Sequence, residues 1–386
     1  MENKKIKRIA YVSGTRADFG LMTSVLFAIE KSPELVLQMY ATGMHLMPEF
    51  GNTFEEVKRS FPRVQKIHAV IKTDTSEALA CYFSDCIRDV ILTFAQNRPD
   101  MALVLGDRAE MLAVASACLY LGIPVAHIHG GDVSSTVDEV TRHTITKLSH
   151  IHFPATKEAA LRIRSMREES WRIHTIGSPS LDTILAKQRV SDDEVFRFLH
   201  ISKSEKYILV TLHPETSSLS QNRKNIREVL SAVRRFGMPI VIIYPNADPG
   251  NSVIIEEIEK NRKDPLFRIF KSILYDLFIG VEKNASVWVG NSSAGIIESV
   301  SFHKSVVNVG MRQEGRTKAK NVIDVPFRKM DIADAIHRSL TDSDFLRMIA
   351  KIKNPWGNGH TASRVVQILE TIEINQKLLM KKFVDV

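Results

Sequence analysis

At 386 residues, with 44% hydrophobic and 25% charged residues, the chain is too long for one ordinary core and has the composition of a soluble globular protein of two domains. A formal net charge of +8 points to an anionic ligand. Lysines and arginines are nevertheless spread among many acids, without zinc-finger spacing or an RNP-like aromatic motif, which argues against a nucleic-acid partner. No run reaches the roughly 18 apolar residues of a membrane span, and no signal peptide is evident. Cys81, Cys86 and Cys118 lie in apolar or mixed helical contexts and read as reduced structural thiols, so a cytoplasmic protein without a membrane segment is expected.

In chain order, short β-rich runs alternate with longer amphipathic ones, the pattern of parallel sheets flanked by helices. The first series comprises RIAYVSG, LVLQMYATG, MALVLGD, PVAHIHG and HIHFPAT, with RIHTIGS near residue 175. Helical segments such as FGLMTSVLFAIEKS and AEMLAVASACLYLG lie between them. The first strand runs into VSGTRADFG, a glycine turn and helix start without the G-x-G-x-x-G spacing of an NAD site. Arg16 there is placed to neutralise a diphosphate through bidentate bonds, or is simply a surface arginine near a helix start. MALVLGDRAEM ends in Asp107, Arg108 and Glu110. About twenty residues later HIHGGDVSSTVDEVTRH, residues 127–143, gathers imidazoles, carboxylates and an arginine around Gly130-Gly131. In an open α/β sheet ligands bind at the carboxyl ends of the strands, so two adjacent strands ending this way read as an active site. His127, His129, His143, His150 and His152 invite a metal reading. However, H-x-H on a strand directs both side chains to one face, His150 and His152 belong to another strand, and no H-E-x-x-H or cysteine partner accompanies them; no metal is expected.

The charged segment SDDEVFRFLHISKSEK, near residues 191–206, separates this series from a second one, YILVTLH, PIVIIYPN, ASVWVGN and SVVNVGM, interleaved with helical NRKNIREVLSAVRRFG and SAGIIESVSF. LHPET places His213 at a strand end, and YPNADPG places Asn246 and Asp248 in a polar turn. VWVGNSSAGIIESV is a strand, a small-residue turn and a helix start. Its unpaired N–H groups and the hydroxyls of Ser292 and Ser293 suit phosphate oxygens, and Glu298 one turn in suits a ribose diol; a Ser-rich N-cap is the plain alternative. GMRQEGR puts Arg312 and Arg316 after another strand. The last segment, HTASRVVQILETIEINQKLLMKK, reads as one long helix. The expected division is 1–190, 191–365 and a C-terminal helix at 366–386, the first two being Rossmann-like α/β domains facing a cleft.

Taken in order, GTRADFG, TGMH, GDRAE, H-I-x-G-G-[DE]-x-S-x-T-x-D, the following RH and KLSH, HP-x-T, YPN, GNSSAGI-x-E and GMRQ-x-GR resemble the motifs of the UDP-N-acetylglucosamine 2-epimerases. Within that family they resemble the hydrolysing branch that feeds sialic-acid-type sugar synthesis, over nearly the whole chain. The resemblance implies a glycosyltransferase-B-like pair of Rossmann domains, with the C-terminal helix returning to the N-terminal domain. It implies acid/base positions at Asp107, Asp138 and His129, with His45 of TGMH another cleft residue. Arg16, Arg108, His213, Asn246, Ser292, Ser293, Glu298 and Arg312 would hold the nucleotide. No cofactor is implied; the partners implied are a nucleotide-sugar substrate and further copies of the chain in a homo-oligomer. The implied reaction converts UDP-N-acetylglucosamine and water to N-acetylmannosamine and UDP by elimination to a glycal and rehydration. A close alternative is GDP-N,N′-diacetylbacillosamine of legionaminic acid synthesis; an alternative of another class is a catalytically silent sugar-nucleotide binding protein. Where the family usually carries glutamate this chain has His129, a departure that fits a subgroup with altered substrate.

Overall fold

The computed structural model describes residues 6–51, 53–134, 137–186 and 190–385. It contains two six-stranded sheets in which every pairing is parallel. The first holds β1 Lys7–Ser13, β2 Leu35–Ala41, β3 Gln65–Lys66, β4 Met101–Leu105, β5 Val125–Ile128 and β6 Ile151–Phe153, in the order β3-β2-β1-β4-β5-β6. The second holds β7 Ile208–Thr211, β8 Ile240–Ile243, β9 Phe267–Phe270, β10 Val287–Gly290, β11 Ser305–Val309 and β12 Val322–Val325, in the order β12-β11-β10-β7-β8-β9. Strands such as MALVL are apolar throughout and wholly buried because helices cover both faces of a parallel sheet. In each sheet the strand order reverses once, between β1 and β4 and between β7 and β10, the two places where a doubly wound sheet opens a crevice for ligand.

β3, β9 and β12 are edge strands with polar or charged positions, QK, FRIF and VIDV, and carry too weak an apolar signal to be read from sequence. RIHTIGS forms no strand, only an isolated bridge from Ile173 to His152. SDDEVFRFLH folds as the helix Asp192–Leu199, opened by a Ser191–Glu194 capping box, and packs on the helix Tyr275–Asn284 beside the second sheet.

The expected single C-terminal helix is broken. It runs from Thr361 to Thr371, becomes extended at Ile372 (φ −69°, ψ 128°), and resumes as the turn Gln376–Leu379. Lys7 Nζ donates to the carbonyls of Leu369, Glu370 and Ile372 at 2.9, 2.8 and 2.6 Å, satisfying the end of the helix where a further turn would otherwise do so. Asn375 then caps the next turn. The buried guanidinium of Arg172 holds the carbonyls of Leu378, Lys377 and Met380. The helix Thr361–Thr371 packs on Arg16–Lys31 and Pro179–Leu185, and Val365, Leu369 and Leu378 enter the core around the first sheet. The 365/366 division therefore falls inside one helix.

The carboxyl ends of the strands of the two sheets face each other across a cleft. Asp74, beyond β3, accepts from the N–H groups of Gly250 and Ser252 at 2.7 and 2.9 Å and from Asn251 Nδ2 at 3.3 Å. It thus caps the helix Asn251–Glu259 of the opposing layer with a carboxylate, where the helix dipole favours negative charge. Among the described residues no helix is long and apolar enough to cross a membrane.

Gly290 ends β10 at the second reversal point with φ +146°, and a Cβ there would lie 2.0 Å from the Thr211 carbonyl oxygen on β7. Gly290→Ala must push these two strands apart. We expect a loss of at least about 2 kcal/mol in thermal or urea unfolding; an unchanged transition would contradict the packing described.

Candidate active site

The turn after β1 is built on buried hydrogen bonds. Asp18, inside the helix Arg16–Lys31, accepts from the N–H groups of Gly14 and Thr15 at 3.0 and 2.6 Å, from the Tyr11 hydroxyl at 3.1 Å and from the Ser13 hydroxyl. Thr15 closes the capping box. Ser13 also meets His45 Nε2 at 2.8 Å, and His45 Nδ1 meets the Thr53 hydroxyl at 2.6 Å. The network fixes Arg16 at the helix start, braced by Glu56 at 2.6 Å, with its side chain on the wall of a cleft between the two sheets.

That cleft lies between the two sheets and is partly open to solvent. Its walls bring together Arg16, Thr53, His213, Asn246, Ser292, Ser293, Glu298 and Arg312, with Tyr275 and Phe278 from the helix Tyr275–Asn284. Asn291, the first residue after β10, ties this wall together. Its side chain accepts from the His213 N–H at 2.7 Å and donates to the His213 carbonyl at 2.9 Å. Its own carbonyl accepts from Arg312 at 3.1 Å and from Gln313 at 2.9 Å. His213 Nδ1 accepts from the Asn246 N–H at 3.3 Å, and burial, reinforced by Arg312 and Arg108, pushes its pKa well below the usual imidazole value. The ring is thus neutral, with its proton on Nε2, a donor for an anionic ligand. Ser292 caps a helix of only five residues, Ser293–Ile297, followed by a tight turn at Ser299–Phe302. This replaces the continuous helical stretch expected of SAGIIESVSF. Any anion held there therefore meets local N–H and hydroxyl groups more than a long helix dipole.

Beyond Arg312 stands a second cluster. Buried Arg142, on the helix Val137–Leu148, pairs closely with the Asp107 carboxylate and donates to the Asp132 carbonyl at 3.1 Å and the Ser134 hydroxyl at 3.3 Å. Burial would raise the pKa of Asp107, but Arg142, Arg316 and Arg312 outweigh it and hold the carboxyl below its usual range. Asp138, in the first turn of the same helix, faces Arg312 at 3.5 Å. His129 has φ +61°, which breaks the strand alternation, so the expectation that His127 and His129 share a face does not hold. Its N–H donates to the Phe153 carbonyl at 3.1 Å, and its ring stacks on Trp356 at 6.1 Å with an interplanar angle of 11°. Burial lowers its pKa to about 4 against the opposing pull of Asp132. His129 Nε2, Asp132 Oδ1 and Arg316 Nε are buried without a hydrogen-bond partner, an arrangement that a bound polar ligand would satisfy.

Two expected site residues take other places. His45 lies wholly buried behind the cleft wall with both ring nitrogens engaged, so it orients Ser13 and Thr53 and has no nitrogen left to meet a substrate. Arg108 turns to Glu110 at 3.2 Å and reaches Asp248 of the opposing layer at 3.8 Å, bracing the closed arrangement outside the cleft lining. Three further imidazoles are held by the fold: His127 by the Gly106 carbonyl at 2.7 Å, His150 by the Val125 N–H at 3.1 Å and His152 by Glu168 at 3.1 Å. Asn291, Asp132, Arg142 and Tyr275 were not singled out from sequence. Asp132 and Arg142 lay inside the 127–143 motif, and only the burial of their charges distinguishes them from solvated neighbours.

The model of the UDP-N-acetylglucosamine 2-epimerase family matches residues 27–370. A UDP-N,N′-diacetylbacillosamine 2-epimerase (hydrolyzing) of Legionella pneumophila is 37% identical over 380 residues, covering 97% of this chain and 99% of that protein. A UDP-N-acetylglucosamine 2-epimerase of Neisseria meningitidis is 33% identical, covering 98% and 99%. The crystal structure of UDP-GlcNAc 2-epimerase from Neisseria meningitidis bound to UDP-GlcNAc shares the fold, with a TM-score of 0.79 at 20% identity over 94% of this chain and 99% of that one. With the two-sheet cleft and these full-length matches together, the chain belongs to the UDP-N-acetylglucosamine 2-epimerase family and is an enzyme of that class.

Proposed function

We propose that the protein is a hydrolysing 2-epimerase that converts UDP-N-acetylglucosamine and water to N-acetylmannosamine and UDP. One observation carries the reading: the Arg312 guanidinium is bonded to the Asn291 carbonyl on the wall of the open cleft and faces the Asp138 carboxylate on the other side. A diphosphate lying along the wall formed by Arg16, His213, Ser292 and Ser293 would therefore end, at Arg312, beside the acid/base cluster.

The C2–H of the sugar is not flanked by a carbonyl and is not acidic in the ground state. As the C1–O bond to the diphosphate breaks, positive charge grows at C1 and acidifies C2–H. A basic group then takes that proton, the C–H electrons form the C1–C2 double bond of a glycal, and the nucleoside diphosphate carries away the C1–O electrons. Water next adds its hydroxyl at C1 while a proton reaches C2 on the opposite face, so the 2-epimeric free sugar forms. Two placed acid/base groups and an anion clamp suffice. We assign Asp138 and His129 to proton transfer. Asp107, held ionised by Arg142, stabilises the developing positive charge and orients the sugar. His45 positions the Thr53 wall, and Arg108 braces the closed cleft. The enzyme would work in the cytoplasm on nucleotide sugars.

A second reading has a specific observation behind it. An imidazole at His129 stands where the family usually has glutamate, and the Legionella relative is named for a 2,4-diacetamido sugar. A substrate with a 4-acetamido group, linked to UDP or GDP, fits that departure.

The reading is tested by offering UDP-N-acetylglucosamine, UDP-N,N′-diacetylbacillosamine and GDP-N,N′-diacetylbacillosamine side by side and identifying the free sugar by NMR. The highest kcat/KM for UDP-N-acetylglucosamine supports the first reading; preference for either bacillosamine compound supports the second; nucleotide binding without release from any of them overturns both. Asp107→Asn and Asp138→Asn should each lower kcat by about 10²–10⁴-fold while leaving nucleotide affinity nearly unchanged. A parallel loss of binding in calorimetry would contradict the assignment.

A further inference from the structure

Behind one end of the cleft lies a buried acid that this reaction does not use. Glu282, on the helix Tyr275–Asn284, is fully buried, and Glu298 at the end of Ser293–Ile297 is nearly so. Their side chains meet each other. Neither oxygen of Glu282 nor Oε2 of Glu298 has any other hydrogen-bond partner. The Ser180 hydroxyl reaches Glu298 from the helix Pro179–Leu185.

The other titratable groups facing the pair are phenols. Tyr275, whose buried hydroxyl has no hydrogen-bond partner, lies near both carboxyls and Asp276. Tyr207 lies near Glu282 and donates its hydroxyl to the Val281 carbonyl at 2.5 Å. Lys283, the next residue on the helix, turns away to Asp192 at 3.1 Å. Among the described residues no cation acts on either carboxyl. Two touching carboxyls removed from water and without a cation cannot both ionise, so the pair must share a proton. Glu298 lines the cleft and Glu282 does not, so the proton rests on Glu282 and its O–H donates to Glu298.

We propose that Glu282 is a positioning residue: it holds the shared proton and fixes Glu298 as an ionised acceptor for the two vicinal hydroxyls of a ribose, so that nucleotide affinity rises with pH. This rests on the reading of the cleft as a nucleotide site. Above the Glu298 transition the carboxylate accepts from both hydroxyls. Below it Glu298 is itself protonated and loses the charge and one acceptor position. Burial places that transition at about 7, within the range where the protein can be handled. The sign follows: a raised carboxyl pKa means the binding-competent ionised form is present above that pH and lost as pH falls through it.

The test measures calorimetric affinity for UDP-glucose, whose diphosphate diester does not titrate in this range, across the neutral region. Wild-type affinity should rise about tenfold through the transition, the difference between a neutral and a charged hydrogen-bond acceptor. The 2′-deoxy analogue should show a much smaller rise. Glu282→Gln keeps a neutral donor to Glu298, so its transition should stay close to that of wild type, whereas Glu282→Leu removes the donor and its transition should rise by about a pH unit, weakening affinity at neutral pH. A flat wild-type profile, an equal slope for the 2′-deoxy analogue, or an unmoved transition in Glu282→Leu overturns the role of Glu282. Absence of binding at every pH overturns the nucleotide-site reading itself.

Discussion

The molecule depends on one junction, where Arg312 meets the Asn291 carbonyl and faces Asp138. Asn291 follows β10 at the reversal point of the second sheet, and its amide ties β10 to the His213 segment after β7. Asp138 belongs to the helix that follows the 127–143 loop of the first layer. The guanidinium therefore joins the edges of two separate sheets, and it can do so only if the layers close on each other. Asp74 capping the helix Asn251–Glu259 from the first layer and Arg108 near Asp248 are parallel braces for the same closure. None of these exposed or half-buried pairs is strong alone; together they define one relative placement of the two crevices.

Desolvation then decides the charge state of the groups around the junction. Imidazoles buried there are neutral: burial lowers His129 to about 4 and pushes His213 well below its usual value. Asp107 stays ionised because Arg142, Arg316 and Arg312 outweigh the same burial. The result is a fixed carboxylate, uncharged imidazoles and an arginine-rich wall around the junction. Such a set suits a reaction in which an anion departs as a positive carbon forms. At the far end of the cleft no cation offsets the burial of Glu282 and Glu298, and the physics there runs the other way, toward a retained proton.

Much of this was legible in the sequence because it lies at strand ends. Apolar runs located β1, β2, β4, β5, β6, β7, β8, β10 and β11, and Arg16, Asp107, His213 and Ser292, just beyond β1, β4, β7 and β10, fall at the reversal points. Edge strands were not legible, since QK and FRIF lack the apolar continuity of a buried strand. The break at Ile372 was hidden because it depends on Lys7, more than 360 residues away. The backbone of His129 escaped for a related reason: nothing in H-x-H announces a positive φ, and the strand period fails as the chain turns into Gly130-Gly131. Burial of charge was equally silent, so Asp132, Arg142 and Glu282 looked like ordinary polar residues.

Proton transfer at C2 is the central claim, and the isotope content of the product reads it most directly. The enzyme is incubated with its nucleotide sugar in D2O, and the released free sugar is examined by NMR. The account predicts that nucleotide is released together with a 2-epimeric sugar carrying one deuterium at C2. Release of a sugar with its original C2 hydrogen and configuration would show simple hydrolysis and contradict it.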